Sequence, residues 1–132
     1  MTVLARQVEA RASGRCEYCR MHQALQGATF HLEHIIPSSC GGATVLENLA
    51  WACPTCNFRK SDRESGVDPG SGLTVPFYNP RYEAWSIHFC WKGYEVDGLT
   101  PVGRATIATL DLNHPKRIFI RRAEELFGYF PP

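Results

Sequence analysis

Two Cys-X-X-Cys pairs, Cys16/Cys19 and Cys53/Cys56, constrain this chain more than any other feature. Four thiols in two matched pairs close a tetrahedral metal site only if the long segment between them folds back on itself. Zinc held by four thiolates keeps no open coordination position, so the expected site is structural and not catalytic. The competing use of such pairs, a redox dithiol or a disulfide, suits a single pair better than two. His22, three residues after Cys19, is the nearest substitute ligand, and the intact set of four cysteines is preferred to it. Cys40 and Cys90 stand apart and read as small buried or half-buried thiols.

A chain of 132 residues with 44% hydrophobic and 20% charged residues suits one domain, or one core with an extension. Its apolar content allows only a limited core, which a bound metal would reinforce. The net charge of +1 gives no global signal for nucleic acid. Any phosphate binding must therefore come from local clusters of Lys and Arg. The stretch Thr2 to Ala12 carries Arg6, Glu9 and Arg11 and lacks the apolar run of a signal peptide. No run is long enough to span a bilayer. The expected compartment is a reducing cytoplasm, where thiols persist and bind zinc.

Thr2 can cap a short helix through roughly Ala12, ended by Ser13-Gly14. Ala28 to Ile36 alternates and reads as a strand stopped by Pro37. Ser38, Ser39, Gly41 and Gly42 make a loop, and Pro54 opens a helix carrying Asn57, Arg59, Lys60 and Arg63. The Gly- and Pro-rich stretch from Ser65 to Pro76 is the expected boundary, dividing the chain into residues 1–72 and 73–132. Beyond it come a short helix around Tyr82 to His88, a hairpin-like stretch around Phe89 to Val96, and two helices. The helices open at Thr100-Pro101 and at Asn113 to Pro115, each pairing a cap with an early proline.

Phe30 to Pro37 places His31, Glu33 and His34 inside an otherwise apolar strand, an arrangement that is costly unless these groups bind something. Phosphodiester hydrolysis needs a base to deprotonate water and a cation to neutralise charge on the phosphate and leaving oxygen. Imidazole can be neutral at physiological pH and accept a proton, and His34 is the expected base. Mg²⁺ or Mn²⁺ prefers oxygen ligands, and Glu33 with the side-chain carbonyl of Asn57 supplies a sufficient protein set. Period-two geometry puts His31 and Glu33 on one strand face and His34 on the other, so the strand must twist or end at His34.

Glu33-His34-Ile35-Ile36-Pro37, then Glu47-Asn48-Leu49, then Cys53-Pro54-Thr55-Cys56-Asn57-Phe58-Arg59-Lys60 resembles the HNH endonuclease motif in its zinc-bearing form. The resemblance implies an α+β fold: a ββα-metal, treble-clef-like core with a Cys₄ zinc site, followed by a mainly helical C-terminal extension. It implies that His34 is the general base, that Asn48 orders the loop between strand and helix, and that Asn57 stands where many members have histidine. Glu33 falls where the family usually has a metal-binding aspartate. His31 resembles an additional active-site histidine of zinc-bearing phage enzymes that cut branched DNA. The ends expected by resemblance are 5′-phosphate and 3′-hydroxyl. The stretches Asn79-Pro80-Arg81 and Gly98-Leu99-Thr100-Pro101 resemble an extension found in stand-alone bacterial HNH proteins.

Arg59, Lys60 and Arg63 follow Asn57 and are expected to hold the nucleic-acid backbone, with Lys60 at the family's basic position. Lys116, Arg117, Arg121 and Arg122 form a second basic cluster. It reads either as an extension of a DNA track or as the charged outer face of a helix whose apolar side includes Ile118, Phe119 and Leu126. Trp85, Phe89 and Trp91 read as core. The leading expectation is a metal-dependent DNA endonuclease; the rival is a non-catalytic zinc module that binds nucleic acid. The same phosphate chemistry also admits RNA.

Overall fold

The structure, a computed structural model, describes residues 1–132. Helix α1 (Val3–Arg11) opens where Thr2 Oγ1 accepts a hydrogen bond from Ala5 N at 3.0 Å and buries Ala5 and Val8. It ends where Ser13 and Gly14 turn to φ 55° and 71°. Strand β1 (His31–His34) is shorter than the alternating segment and pairs antiparallel with β2 (Leu49–Ala52), His31 opposite Ala52 and His34 opposite Leu49. All four residues of β2 are buried. Helix α2 (Pro54–Lys60) follows at once, with Cys53 as its cap and Pro54 in its first turn, where a missing N–H costs nothing. β1, β2 and α2 form the ββα unit of an α+β protein.

The expected boundary is itself structured. β3 (Ser65–Val67) pairs antiparallel with β4 (Thr74–Pro76), so a division between residues 72 and 73 falls in the connection of a hairpin. Asp68 holds that connection: Oδ1 accepts from Gly70 N and Arg104 Nε, both at 2.9 Å, and Oδ2 accepts from Ser71 Oγ at 2.7 Å and Arg104 Nη2 at 3.0 Å. Hydrogen bonds from Arg104 and Ser71 hold the Asp68 carboxyl well below the usual carboxylate range. The folded protein therefore binds this proton less readily than the unfolded chain, whose carboxyl titrates near about 3.9. The stabilisation is present above that pH and is lost as pH falls toward the folded value. Asp68→Asn should lower the melting temperature by about 5 °C or more at pH 7, with the gap to wild type narrowing below about pH 4 in thermal melts at matched zinc loading.

After β4 come α3 (Trp85–His88), the hairpin of β5 (Phe89–Lys92) and β6 (Glu95–Gly98), α4 (Pro101–Leu110) and α5 (Pro115–Leu126). Thr100 caps α4 by accepting from Gly103 N at 3.0 Å. His114 caps α5, while Asn113 pairs with the backbone N and O of Val96 at 2.8 and 2.9 Å. One continuous core runs through both halves and includes Val8, the four paired cysteines, Leu49, Trp51, Tyr78, Phe89, Val96, Leu110 and Leu112. Trp85 and Trp91 are half-buried and stack with ring centroids 5.2 Å apart. No helix is long and apolar enough to cross a membrane.

Helix α5 inverts its expected orientation. Arg117, Arg121 and Glu124 are buried, whereas Phe119 and Leu126 are 71% and 84% exposed. The reason is polar demand beneath the helix. Arg117 donates to Leu110 O at 3.1 Å, and Arg121 to Tyr94 O and Leu112 O at 2.9 and 2.7 Å. Two of the four basic residues are thus withdrawn from any surface track.

Candidate active site and zinc centre

The two cysteine pairs meet in the core. The Sγ atoms of Cys16, Cys19, Cys53 and Cys56 all lie within 4.8 Å of one another, and Cys19 Sγ and Cys53 Sγ are 3.8 Å apart. Tetrahedral zinc with Zn–S bonds of about 2.3 Å requires sulfur separations of about 3.8 Å, so the cluster fits a structural zinc. Burial pushes the Cys16 and Cys56 thiols up, whereas Cys19, in spite of its burial, is pulled down by hydrogen bonds from the other three, and four thiolates packed in one buried cluster require a cation. Cys56 N donates to Cys53 Sγ at 3.3 Å, which ties the cluster to the first turn of α2. His22 is not a ligand: its Nδ1 accepts from Ala24 N and its ring stacks on Tyr129 at 4.4 Å. Cys40 is exposed, contrary to the buried reading, because it closes a surface turn after Pro37; Cys90 is half-buried.

The first cysteine loop is laced to β2. Glu17 N donates to Trp51 O and Trp51 N donates to Glu17 Oε2, both at 2.8 Å, and Arg81 pairs with the other oxygen of Glu17. Thus the first cysteine loop is tied to β2, β2 pairs with β1, and β1 carries the polar residues.

A cavity of about 470 Å³ opens beside this unit, and its walls include Glu33, His34, Ser38, Asn57, Phe58 and Asp62. β1 supplies Glu33 and His34, and its end at His34 resolves the facing problem of the strand. α2 supplies Asn57 and Phe58, and the turn that follows it supplies Ser61 and Asp62. His34 Nε2 lies 2.9 Å from Thr44 Oγ1, which orients the ring and leaves Nδ1 without a protein partner. Asn48 does not line the cavity; it braces its rim. Its Oδ1 accepts from Ile36 N at 2.9 Å, and its Nδ2 donates to Ile36 O and Ala43 O, each at 3.0 Å. Gly42 completes the brace, since a Cβ there would stand 1.8 Å from Ile36 O and 2.8 Å from Asn48 Nδ2. His31 is exposed near the start of β1 and is not among the lining residues.

Lys60 is corrected. Expected on the surface against phosphate, it is 1% exposed and points inward, because it lies one helical turn after the buried Cys56 on the same face of α2. Its Nζ is 2.6 Å from Glu33 Oε1 and donates to Ile35 O at 2.9 Å and His34 O at 3.2 Å. Tyr18 donates to Glu33 Oε2 at 2.6 Å. Burial raises the Glu33 carboxyl above its ordinary range, and Lys60 offsets only part of that. Removing one partner of such a pair leaves a buried charge unmatched, at a cost of about 3–5 kcal/mol. Lys60→Met should lower the stability in urea by that amount, and adding Glu33→Gln should restore part of it. Arg59 and Arg63 remain at the surface, Arg59 paired with Asp111 at 3.4 Å, and both border a separate shallow cleft beside β3.

Sequence reasoning missed Asp62 and Gly42. Asp62 lies past the end of α2, after the turn at Ser61, and no periodicity marks it, whereas Gly42 could be found by asking which loop residue must pass close to Asn48.

This fold and site define a small ββα-metal domain built around a buried four-cysteine centre with a polar cavity at its strand–helix junction. Residues 16–63, little more than a third of the chain, match the family model described as HNH endonuclease. The Septu protein PtuB of Bacillus thuringiensis is 26% identical over 113 residues, covering 84% of this chain and 41% of the relative. The chain therefore spans about two fifths of that relative's length. No solved structure matches the chain.

Proposed function

We propose that this protein is a metal-dependent DNA endonuclease in which His34 is the general base. The observation that supports the reading best is the meeting of His34, Glu33 and Asn57 on one open cavity of a zinc-braced ββα unit. Imidazole is the protein group best suited to accept a proton from water at neutral pH, and Thr44 fixes its ring without blocking both nitrogens. The donor set that suits a hard cation is the amide oxygen of Asn57 and the carboxylate of Asp62, both lining the cavity, with Glu33 joining it only by exchanging Lys60 or Tyr18 for the metal. A bound Mg²⁺ or Mn²⁺ supplies charge neutralisation at the phosphate and leaving oxygen. The protein residues then do three things. His34 takes the water proton, Asn48 and Gly42 hold the rim, and Lys60 anchors α2 on β1 so that Asn57 and His34 line the same cavity.

Arg63, with Arg59, supports backbone contact along the outer side of α2, where basic groups give affinity independent of sequence. RNA fits the same chemistry, and the sugar is decided by assay. One observation favours the rival reading of a zinc module that binds without cutting: Glu33 is already matched by Lys60 and Tyr18.

The deciding experiment incubates zinc-loaded protein with supercoiled plasmid, with Mg²⁺, with Mn²⁺ and with neither. Conversion to nicked or linear product only with the added cation supports the nuclease. Retention of duplex, single-stranded and branched DNA without cleavage of any of them overturns it in favour of the binding module.

A further inference from the structure

We propose that Arg117 and Arg121 are the counter-charges of the zinc–thiolate centre, so that the last helix sets how tightly the centre holds its metal. Zn²⁺ with four thiolates carries a net charge of −2. Here the four sulfurs sit in the core with essentially no exposed surface, and a buried charge of that size needs a matching cation. Arg117 and Arg121 are 4% and 1% exposed, and neither has a carboxylate within ion-pairing distance. Glu124, the buried acid on the same helix, is paired with Arg15 at 3.8 Å.

Arg117 makes the direct contact: its Nη1 lies 3.2 Å from Cys56 Sγ. Its Nη2 is held by Leu110 O at 3.1 Å, which aims the guanidinium at the sulfur. Arg121 follows one turn later, fixed by the carbonyls of Tyr94 and Leu112 and lying 5.2 Å over the Trp91 ring. Two guanidiniums thus match the centre's two negative charges. This explains why α5 turns its arginines inward and leaves Phe119 and Leu126 outside. It also makes residues of the C-terminal half part of a metal centre whose ligands all lie before residue 57. The assignment does not depend on the nuclease reading.

An N–H···S bond stabilises the thiolate lone pairs that would otherwise be donated to protons, oxidants or competing metals. Its removal therefore weakens metal retention and raises the energy of the sulfur donor orbitals. Substitutions next to metal ligands typically cost 10–100-fold in affinity. The test is chelator competition for Zn²⁺ on full-length Arg117→Met, Arg117→Lys and Arg121→Met, together with the sulfur-to-metal charge-transfer band of the Co²⁺-substituted proteins. Arg117→Met is expected to bind Zn²⁺ about 10–100-fold more weakly, with its Co²⁺ band moved to longer wavelength. Arg117→Lys should retain most of the affinity, and Arg121→Met should weaken binding without moving the band.

A folded Arg117→Met protein with wild-type Zn²⁺ affinity and an unmoved band overturns the proposal. So does a lower melting temperature with both metal readouts unchanged, which is the signature of a purely structural hook. If Arg117→Met yields no zinc-loaded protein, Arg117→Lys is compared with Arg117→Gln. Tighter Zn²⁺ binding by the lysine variant supports charge matching, and equal binding overturns it.

Discussion

Replacing His34 with alanine is expected to lower metal-dependent nicking of supercoiled plasmid by about 10²–10⁴-fold, the usual contribution of a positioned base. Zinc content, melting temperature and DNA retention should stay at wild-type values. The side chain is half-buried at the cavity wall, and its one side-chain hydrogen bond, to Thr44, lies at the surface. The link to Lys60 runs through the His34 backbone carbonyl, which alanine keeps. A stability change would therefore be small, and a rate change would report chemistry. A His34→Ala protein that nicks plasmid at the wild-type rate would remove His34 from the reaction and, with it, the assignment of the cavity as the active site. A pH–rate profile on the wild type adds a second check, since a rate that rises on an imidazole titration and is lost in the variant ties the proton transfer to this ring.

The four-cysteine cluster and the approach of Glu33-His34 to Asn57 were legible in the sequence because both rest on residue type and spacing. Two cysteine pairs force a hairpin between them, and that hairpin carries Glu33-His34 to the start of the helix bearing Asn57. β2 was not legible as a strand. Leu49 to Ala52 are buried on both faces, so the alternation that marks a strand is missing. β3 and β4 were hidden for a related reason: Gly- and Pro-rich composition signals a turn, and it says nothing about the three-residue strands on either side.

Lys60 and α5 show a different limit. A basic residue on a helix is ordinarily solvated, and periodicity finds only which residues share a face. What lies opposite that face decides its orientation. For Lys60 the decisive neighbours are Glu33 and two carbonyls at the end of β1. For Arg117 the decisive neighbour is a cysteine sulfur. Both residues could have been placed by asking which cations the buried Glu33 and the four sulfurs would require.

Removing zinc should have the larger structural effect. The four cysteines are members of the same buried cluster as Val8, Trp51, Phe89 and Leu110, so a metal held by them would sit within the core and not on a detachable knuckle. Structural zinc sites contribute about 10–16 kcal/mol of binding free energy, comparable with or above the whole stability of a small domain. Without the ion, four thiols must be buried without a cation, and Arg117 and Arg121 lose the charge that matches them. Stripping zinc with a strong chelator, or replacing Cys56 with serine, is therefore expected to abolish the cooperative thermal transition and the near-UV signals of Trp51, Trp85 and Trp91. The loss should extend to α5, which touches the centre through Arg117, and not stop at the HNH segment. Hydrogen exchange followed by mass spectrometry reads this directly, with α2 and α5 losing protection together on chelation. A metal-free protein that still melts cooperatively within a few degrees of the zinc form would show that apolar packing alone carries the fold, and that the thiolate cluster only decorates it.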